Sequence, residues 1–452
     1  MTKSMISGKP LGLIIRFSFP LMIGTLVQQM YSWVDAIMVG KLVGNSALAA
    51  VGATGSINFL ILGFLGGIAE GSCILAARFF GADDRRGLKR CIANIIYVCF
   101  AVVAVLTLLA LIFNKRILLL MKTPETIIND AAAYIGVIYA GMFGILIYNL
   151  CAGIMRALGD SRSPLYFLIA SSLLNIALNY VFMVPFEMGV MGAALATVIS
   201  QLISGVLSLI YMIRKYDILR LSKDDFRIRI PMIIKICGMG IPMAFQYSIT
   251  AIGALALQFA INTLGEDAIT AYTVGEKVLG LFNSFINCIG VALSNFCSQN
   301  MGAGRLTRIK HGVASTTVTC ILLSVICTTI LITAGDSIAL LFLEQRTDSI
   351  TQLLQTYFRM QSPAFIALCM IFIFRNTVMG LGYSLQGMLA GVFELVGRTV
   401  VALVFVGTYG FAACCLASPA AWVMADILLI PLYFYIIRSL AKRHPSWITE
   451  SE

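Results

Sequence analysis

The sequence predicts an all-α integral membrane protein, with twelve transmembrane helices in two pseudo-symmetric six-helix lobes around a central cleft. Three observations carry this. Of the 452 residues, 59% are hydrophobic and only 12% are charged, about half the charged fraction of a soluble domain. Apolar windows of about 20 residues, enough to cross a bilayer, fill nearly the whole chain. Loop motifs of the first half also return in the second at near-constant spacing.

The windows run in order. The first, 14–37, contains Pro20; it is too long for a signal-peptide core and lacks a small-residue cleavage site, so it stays as a span. Spans 53–76 and 92–113 flank the basic loop Arg78 to Arg90, and 132–153, 166–185 and 192–213 complete the first half. The longest polar stretch, RKYDILRLSKDDFRIRIPMIIK, follows. Spans 238–262, 272–297, 312–334, 357–379, 388–407 and 414–437 make the second half. The expected division is an N-terminal lobe 1–213, a cytoplasmic linker 214–235 and a C-terminal lobe 236–452.

The repeat lies in the loops. FFGADDRRGLKR (Phe79 to Arg90) matches NMGAGRLTRIKH (Asn300 to His311), and GNSALAA (Gly44 to Ala50) matches GEDAITA (Gly265 to Ala271), both at a shift of 221; ALGDS (Ala157 to Ser161) meets GLGYS (Gly380 to Ser384) at 223. Six spans per half give both halves the same orientation. A parallel repeat about an axis along the membrane normal is one established way to build a secondary transporter.

The net charge of +11 points to membrane topology and not to nucleic acid. With a cytoplasmic N-terminus, roughly two dozen Lys and Arg fall on the inner side and about six on the outer. Both termini are then cytoplasmic. The twelve cysteines form no CxxC pair and lie mostly within spans, and His311 and His444 are the only histidines. Neither zinc nor histidine-based catalysis is supported, no cofactor is expected, and the chain reads as neither an intramembrane enzyme nor a receptor.

Ionisable groups within spans are costly and by default functional. Gln28, Ser32 and Asp35 share one face of the first span with Tyr31 beside them, a polar stripe expected to face the lobe interior. Asn175 and Asn179, four residues apart, face the same way; they either ligate an ion through their carbonyl oxygens or bind helices together. Glu394 and Arg398 form an i,i+4 acid–base pair, structural or on the substrate wall. Glu276 and Lys277 form a second site or snorkel to the interface. Asp426 and Glu70 stand as isolated acids without an assigned role. Fifteen residues beyond Pro242 lies Leu257, so the second half has no copy of Asp35. Pro20 removes a backbone hydrogen bond and gives the first helix a bending point below Asp35.

Pro20 ahead of Asp35, the run WVDAIMVGKLVGNSALAAVG, the GAD and GAG loops, and MRALGDSRSP followed by LLNIALNYVFM together resemble the multidrug and toxic compound extrusion (MATE) family, over about Ile14 to Ile437. The resemblance implies a plasma (inner) membrane antiporter, expected to be monomeric, that exports organic, often cationic and amphipathic compounds in exchange for H+ or Na+. It implies an ion site at Asp35, Tyr139, Asn175, Asn179 and Thr197, with Na+ at Asp35 as the one metal ion expected. The place of Asn179 is often an aspartate in the family, which leaves the coupling ion open. The alternative, a flippase for lipid-linked saccharides, calls for a strongly cationic cleft, whereas nearly all Lys and Arg here sit at inner ends.

The basic-loop pattern makes a direct prediction. Cysteines placed at Ser222 and Thr307 will react with impermeant reagents only from the cytoplasm, and one at Asp348 only from outside. External labelling at Ser222 would break the twelve-span topology.

Overall fold

The computed structural model describes residues 4–339 and 347–449. The extreme ends, to which the expected lobe limits and the cytoplasmic termini extend, lie outside the described residues. Those described are helical throughout, with no strand among them. Eleven helices are long and apolar enough to cross a membrane, and a bent pair supplies the twelfth.

The first span is α1 (Pro10–Met38), continued by a π-helical turn, Val39–Val43; α2 (Asn45–Ala53) leads into α3 (Gly55–Gly81), then α4 (Arg85–Leu120). The fourth span is broken. Its parts α5 (Ile128–Ala140) and α6 (Met142–Ala157) meet at 49°, where the sequence pattern gives one continuous helix over 132–153. The break falls at Gly141, where an added Cβ would stand 2.3 Å from Val198. A helix continued by a larger residue would collide with the neighbouring span, α8 (Gly189–Lys215), which follows α7 (Arg162–Met183).

The second half begins with α9 (Ile230–Ile261), α10 (Glu266–Gly302) and α11 (Leu306–Ala339). The tenth span is formed by α12 (Asp348–Gln361) and α13 (Phe365–Gly380), joined by one 3-10 turn. The eleventh is α14 (Ser384–Val400), a second π-helical turn Val401–Phe405 and the short α15 (Val406–Tyr409). The twelfth is α16 (Phe411–Arg443), followed by α17 (Ser446–Thr449).

The repeated loop motifs carry left-handed backbone at matching positions. Gly44 and Gly265 have φ of 119° and 94°, Gly159 and Gly382 have 83° and 89°, and Asp83 and Gly304 have 51° and 72°. Glycine adopts such values without the Cβ penalty. Glu187 and Gly410 form a fourth such pair, at 50° and 56°, which sequence comparison does not reveal because Glu replaces Gly.

The chain divides into two compact units. One comprises Phe19–Ala244; the other comprises Met5–Ser18 together with the chain from Phe245 onward. Two helices are therefore shared: α1 divides after Ser18 and α9 after Ala244, each two residues from its proline, Pro20 or Pro242. In the first unit the early half of α9 lies against α3 with backbones nearly touching. A Cβ on Gly67 would stand 2.6 Å from Ala244 Cα, and one on Gly71 would stand 2.8 Å from the Met239 carbonyl.

Polar straps pin the entry to each shared helix. In the second unit Met5 N–H donates to Gln299 Oε1 at 2.8 Å, Asn300 Nδ2 donates to the Met5 carbonyl at 3.2 Å, and Arg305 Nη1 donates to the Ile6 carbonyl at 2.9 Å. In the first, Arg229 N–H donates to Asn94 Oδ1 at 3.0 Å. Asp160 locks the start of α7. It accepts from Ser163 N–H at 3.0 Å and Ser163 Oγ at 2.7 Å, and also from Tyr216 and Lys215. Burial pushes the Asp160 carboxyl up, but these bonds outweigh it and hold its pKa at about 2. Because this lies below the ordinary value, the stabilisation is present above pH 4 and is lost as pH falls through about 2.

The α3–α9 crossing predicts unequal tolerance at adjacent glycines. Gly67→Val will lower thermal stability in detergent by about 1–3 kcal/mol or more, whereas Gly66→Val, where a Cβ meets nothing within 4 Å, will leave it near the parent value. Equal behaviour of the two variants would contradict the crossing.

Candidate functional site

Among the described residues, polar clusters inside the membrane-spanning helices are built on Asp35 in one unit and on Glu394 in the other. α1 runs along α7, with Gly24 facing Leu165 and Leu168, and three turns further on Asp35 reaches Asn179. Asn179 Nδ2 donates to Asp35 Oδ1 at 2.6 Å and to Asn175 Oδ1 at 3.1 Å; Asn175 Nδ2 donates to Thr197 Oγ1 at 3.2 Å, and Thr197 Oγ1 donates to the Ala193 carbonyl at 3.1 Å. The asparagines are buried, and Asp35 and Thr197 half-buried. One atom is left over: Asn179 Oδ1 is buried and meets no donor.

Of the expected site residues, Asp35, Asn175, Asn179 and Thr197 come together. Tyr139 is fully buried, its hydroxyl without a partner, and it is Tyr134 on the same helix that lies near Asp35 and Tyr31. Five residues amount to about 140° around a helix, so the two tyrosines serve different faces. Tyr31 is half-buried and approaches Thr197. Gln28 and Ser32 are exposed, so the enclosed part of the expected stripe is Tyr31 and Asp35 alone. Ser32 stands about 60° round the helix from Asp35; Gln28 lies closer to that face but is exposed. Pro20 is in α1 as expected.

The second cluster is larger than the sequence suggests. Arg398 Nη2 donates to Glu394 Oε1 at 2.9 Å, which pairs them along α14, but Arg375 of α13 also reaches the other oxygen, Oε2, at 3.5 Å. With its amide oxygen turned toward Arg375, Gln246 accepts from Arg375 Nε at 2.9 Å and Nη1 at 3.2 Å. The Arg375 guanidinium lies 5.2 Å from the Phe372 ring centre. Asp426 of α16 faces Arg375 and Glu394, and Glu276 lies by Arg398 and Tyr272. All except Glu276 and the half-buried Phe372 are buried; Glu276 and its neighbour Lys277 are exposed.

Asp426 and Glu70 are therefore not isolated. Glu70 pairs with Arg156 at 3.6 Å. Arg375 and Gln246 escape the sequence pattern because the network crosses four helices. The rule that singles out Asp35 would also have found Arg375, an arginine inside IFIFRNTVMG.

Twelve apolar spans, a doubled architecture and polar clusters buried within the spans define a multi-pass membrane transporter. Comparison with known proteins gives the family. A family model described as MatE matches residues 20–181 and again 242–404, and the chain belongs to this family of multidrug efflux transporters, whose members are not enzymes. The probable multidrug resistance proteins YpnP and YoeA of Bacillus subtilis are similar to it. YpnP is 27% identical over 306 residues, covering 67% of each chain; YoeA is 29% identical over 302 residues, covering 65% of each. The chain thus spans about two thirds of the length of these curated relatives. A crystal structure of MATE in the bent conformation shares its fold, with a TM-score of 0.90 at 22% identity over 98% of both chains.

Removing Glu394 leaves two buried guanidiniums under-compensated. Glu394→Gln will cost about 3–5 kcal/mol of stability, and adding Arg398→Met will restore part of it, as read by thermal denaturation in detergent. A single variant as stable as the parent, but with lost substrate binding, would place Glu394 on the substrate wall instead.

Proposed function

We propose that this protein is a secondary antiporter of the cell membrane that exports organic, cationic amphipathic compounds in exchange for inward protons, with Asp35 as the coupling carboxylate. The observation that carries this reading is the unpartnered oxygen of Asn179. Both hydrogens of its amide are committed, to Asp35 and to Asn175, so its oxygen needs a donor from elsewhere. A protonated Asp35 supplies one. Its O–H, donated to Asn179 Oδ1, closes an acid–amide ring with the existing N–H bond. Deprotonation opens the ring and leaves a half-buried carboxylate for a cationic substrate to offset, since removing a buried charge from water is costly without a counter-charge.

Other features fit. The B. subtilis relatives are named as probable multidrug resistance proteins, and Pro20 gives α1 a bending point one side of Asp35. The two guanidiniums of the second cluster are both engaged by Glu394, which suits an exporter of cations better than a flippase that must hold pyrophosphate. One proton exchanged for one monovalent cation is electroneutral and is driven by the pH gradient alone, at about 1.4 kcal/mol per unit. The distribution of basic loops supports a cytoplasmic position for both termini.

Proteoliposomes test the reading. With an imposed pH gradient and no Na+, the parent will concentrate ethidium, and a Na+ gradient alone will drive nothing. Asp35→Asn will fold and insert normally but will lose gradient-driven accumulation. Undiminished accumulation by the Asn variant would make Asp35 a structural residue, and dependence on Na+ would replace the proton by Na+ at the same carboxylate.

A further inference from the structure

The second unit holds three carboxylates and two guanidiniums in one network. Glu394 is shared by Arg375 and Arg398, Asp426 faces Arg375, and Glu276 lies by Arg398. With Glu276 exposed, the buried part is balanced in number, Glu394 and Asp426 against Arg375 and Arg398, but not in hydrogen bonding. The shortfall falls on a particular carboxyl. Both oxygens of Glu394 are bonded to guanidinium nitrogens, and Glu276 is exposed. Asp426 is only 8% exposed, and its Oδ1 is buried with no hydrogen-bond partner. A buried carboxylate oxygen without a donor is an expensive arrangement that a proton removes.

We propose that Asp426 is a second exchangeable proton site, in the second unit, with Arg375 as its counter-ion. The charged groups at Asp426 come from α13 (Arg375) and α14 (Glu394). Behind them stand Arg398, also on α14, Gln246 and Tyr247 on α9 beside Arg375, Glu276 and Tyr272 on α10 beside Arg398, and Tyr357 on α12 against Tyr272. No histidine is among them. When Asp426 loses its proton, its carboxylate competes with Glu394 for Arg375. The bond positioned to yield is the longer one, Arg375 to Glu394 at 3.5 Å, while Arg398 holds Glu394 at 2.9 Å. The same Arg375 fork is gripped by Gln246, four residues beyond Pro242 of α9. Proton occupancy at Asp426 therefore sets which partners Arg375 serves, directly beside the proline of a shared helix.

The site itself does not depend on the antiport reading; its use in transport does. If both Asp35 and Asp426 exchange a proton per cycle, export of a monovalent cation moves one net charge, and the membrane potential contributes as well as the pH gradient.

Infrared difference spectroscopy of the purified protein, stepped in pH, reads protonated carboxyl groups without requiring transport. The parent will show two titrating carboxyl bands. Asp35→Asn will keep one of them, Asp426→Asn will lose that one, and Arg375→Gln will hold its proton to a pH higher by about one unit or more. An Asp35→Asn variant without a titrating band, an Asp426→Asn variant that keeps both, or no upward shift in Arg375→Gln would each overturn the proposal. The Asp35→Asn and Arg375→Gln arms decide it even if Asp426→Asn fails to fold. In proteoliposomes, absence of gradient-driven transport by the parent would sink the antiport reading while leaving these bands, and the site, intact.

Discussion

The hydrogen bond from Asn179 to Asp35 is the interaction on which the functional account depends. It joins α1, a helix with a proline-weakened backbone, to α7, and it fixes the asparagine so that its nitrogen faces the carboxylate and its oxygen faces nothing. An aspartate at position 179 would place two carboxylates within hydrogen-bonding distance and favour a shared proton or a metal ion. With asparagine there, Asp35 is the titratable partner of the two. The rest of the first cluster is oriented by this choice: Asn175 accepts the second amide hydrogen and passes the polarity on through Thr197 to the backbone of α8.

The fold was legible because membrane spans are written in composition. A chain that must satisfy every backbone group within lipid has helices as its simple solution, and twelve windows of sufficient length leave little else to decide. The repeat was legible because its loops need left-handed backbone at matching positions, and Gly or Asp marks most of them. Where another residue bears the strain, as at Glu187 against Gly410, the correspondence disappears from the sequence. The break at Gly141 was hidden for a related reason. Nothing local separates that glycine from others in continuous helices; its significance comes from Val198, far along the chain.

The sites were legible in proportion to how local they are. Asn175 with Asn179, and Glu394 with Arg398, lie one turn apart on single helices, so helical spacing alone pairs them. That Tyr134 also lies near Asp35 depends on which face of α5 is turned toward it, and sequence spacing does not carry that. The second cluster draws Gln246, Arg375, Glu394 with Arg398, and Asp426 from α9, α13, α14 and α16. Gln246, Arg375 and Asp426 look like isolated polar residues until the helices are packed, when they join the Glu394–Arg398 pair in one network.

The central claim is that Asp35 carries a proton which leaves when a cationic substrate arrives. The most direct measurement adds a cationic amphipath such as ethidium to the purified protein in weakly buffered, Na+-free detergent solution and follows pH with an indicator dye. The account predicts proton release by the parent that saturates with the amphipath and is reduced in Asp35→Asn by the share belonging to that carboxyl. Binding of the amphipath by the parent with no proton release, or release unchanged in the Asn variant, would contradict it.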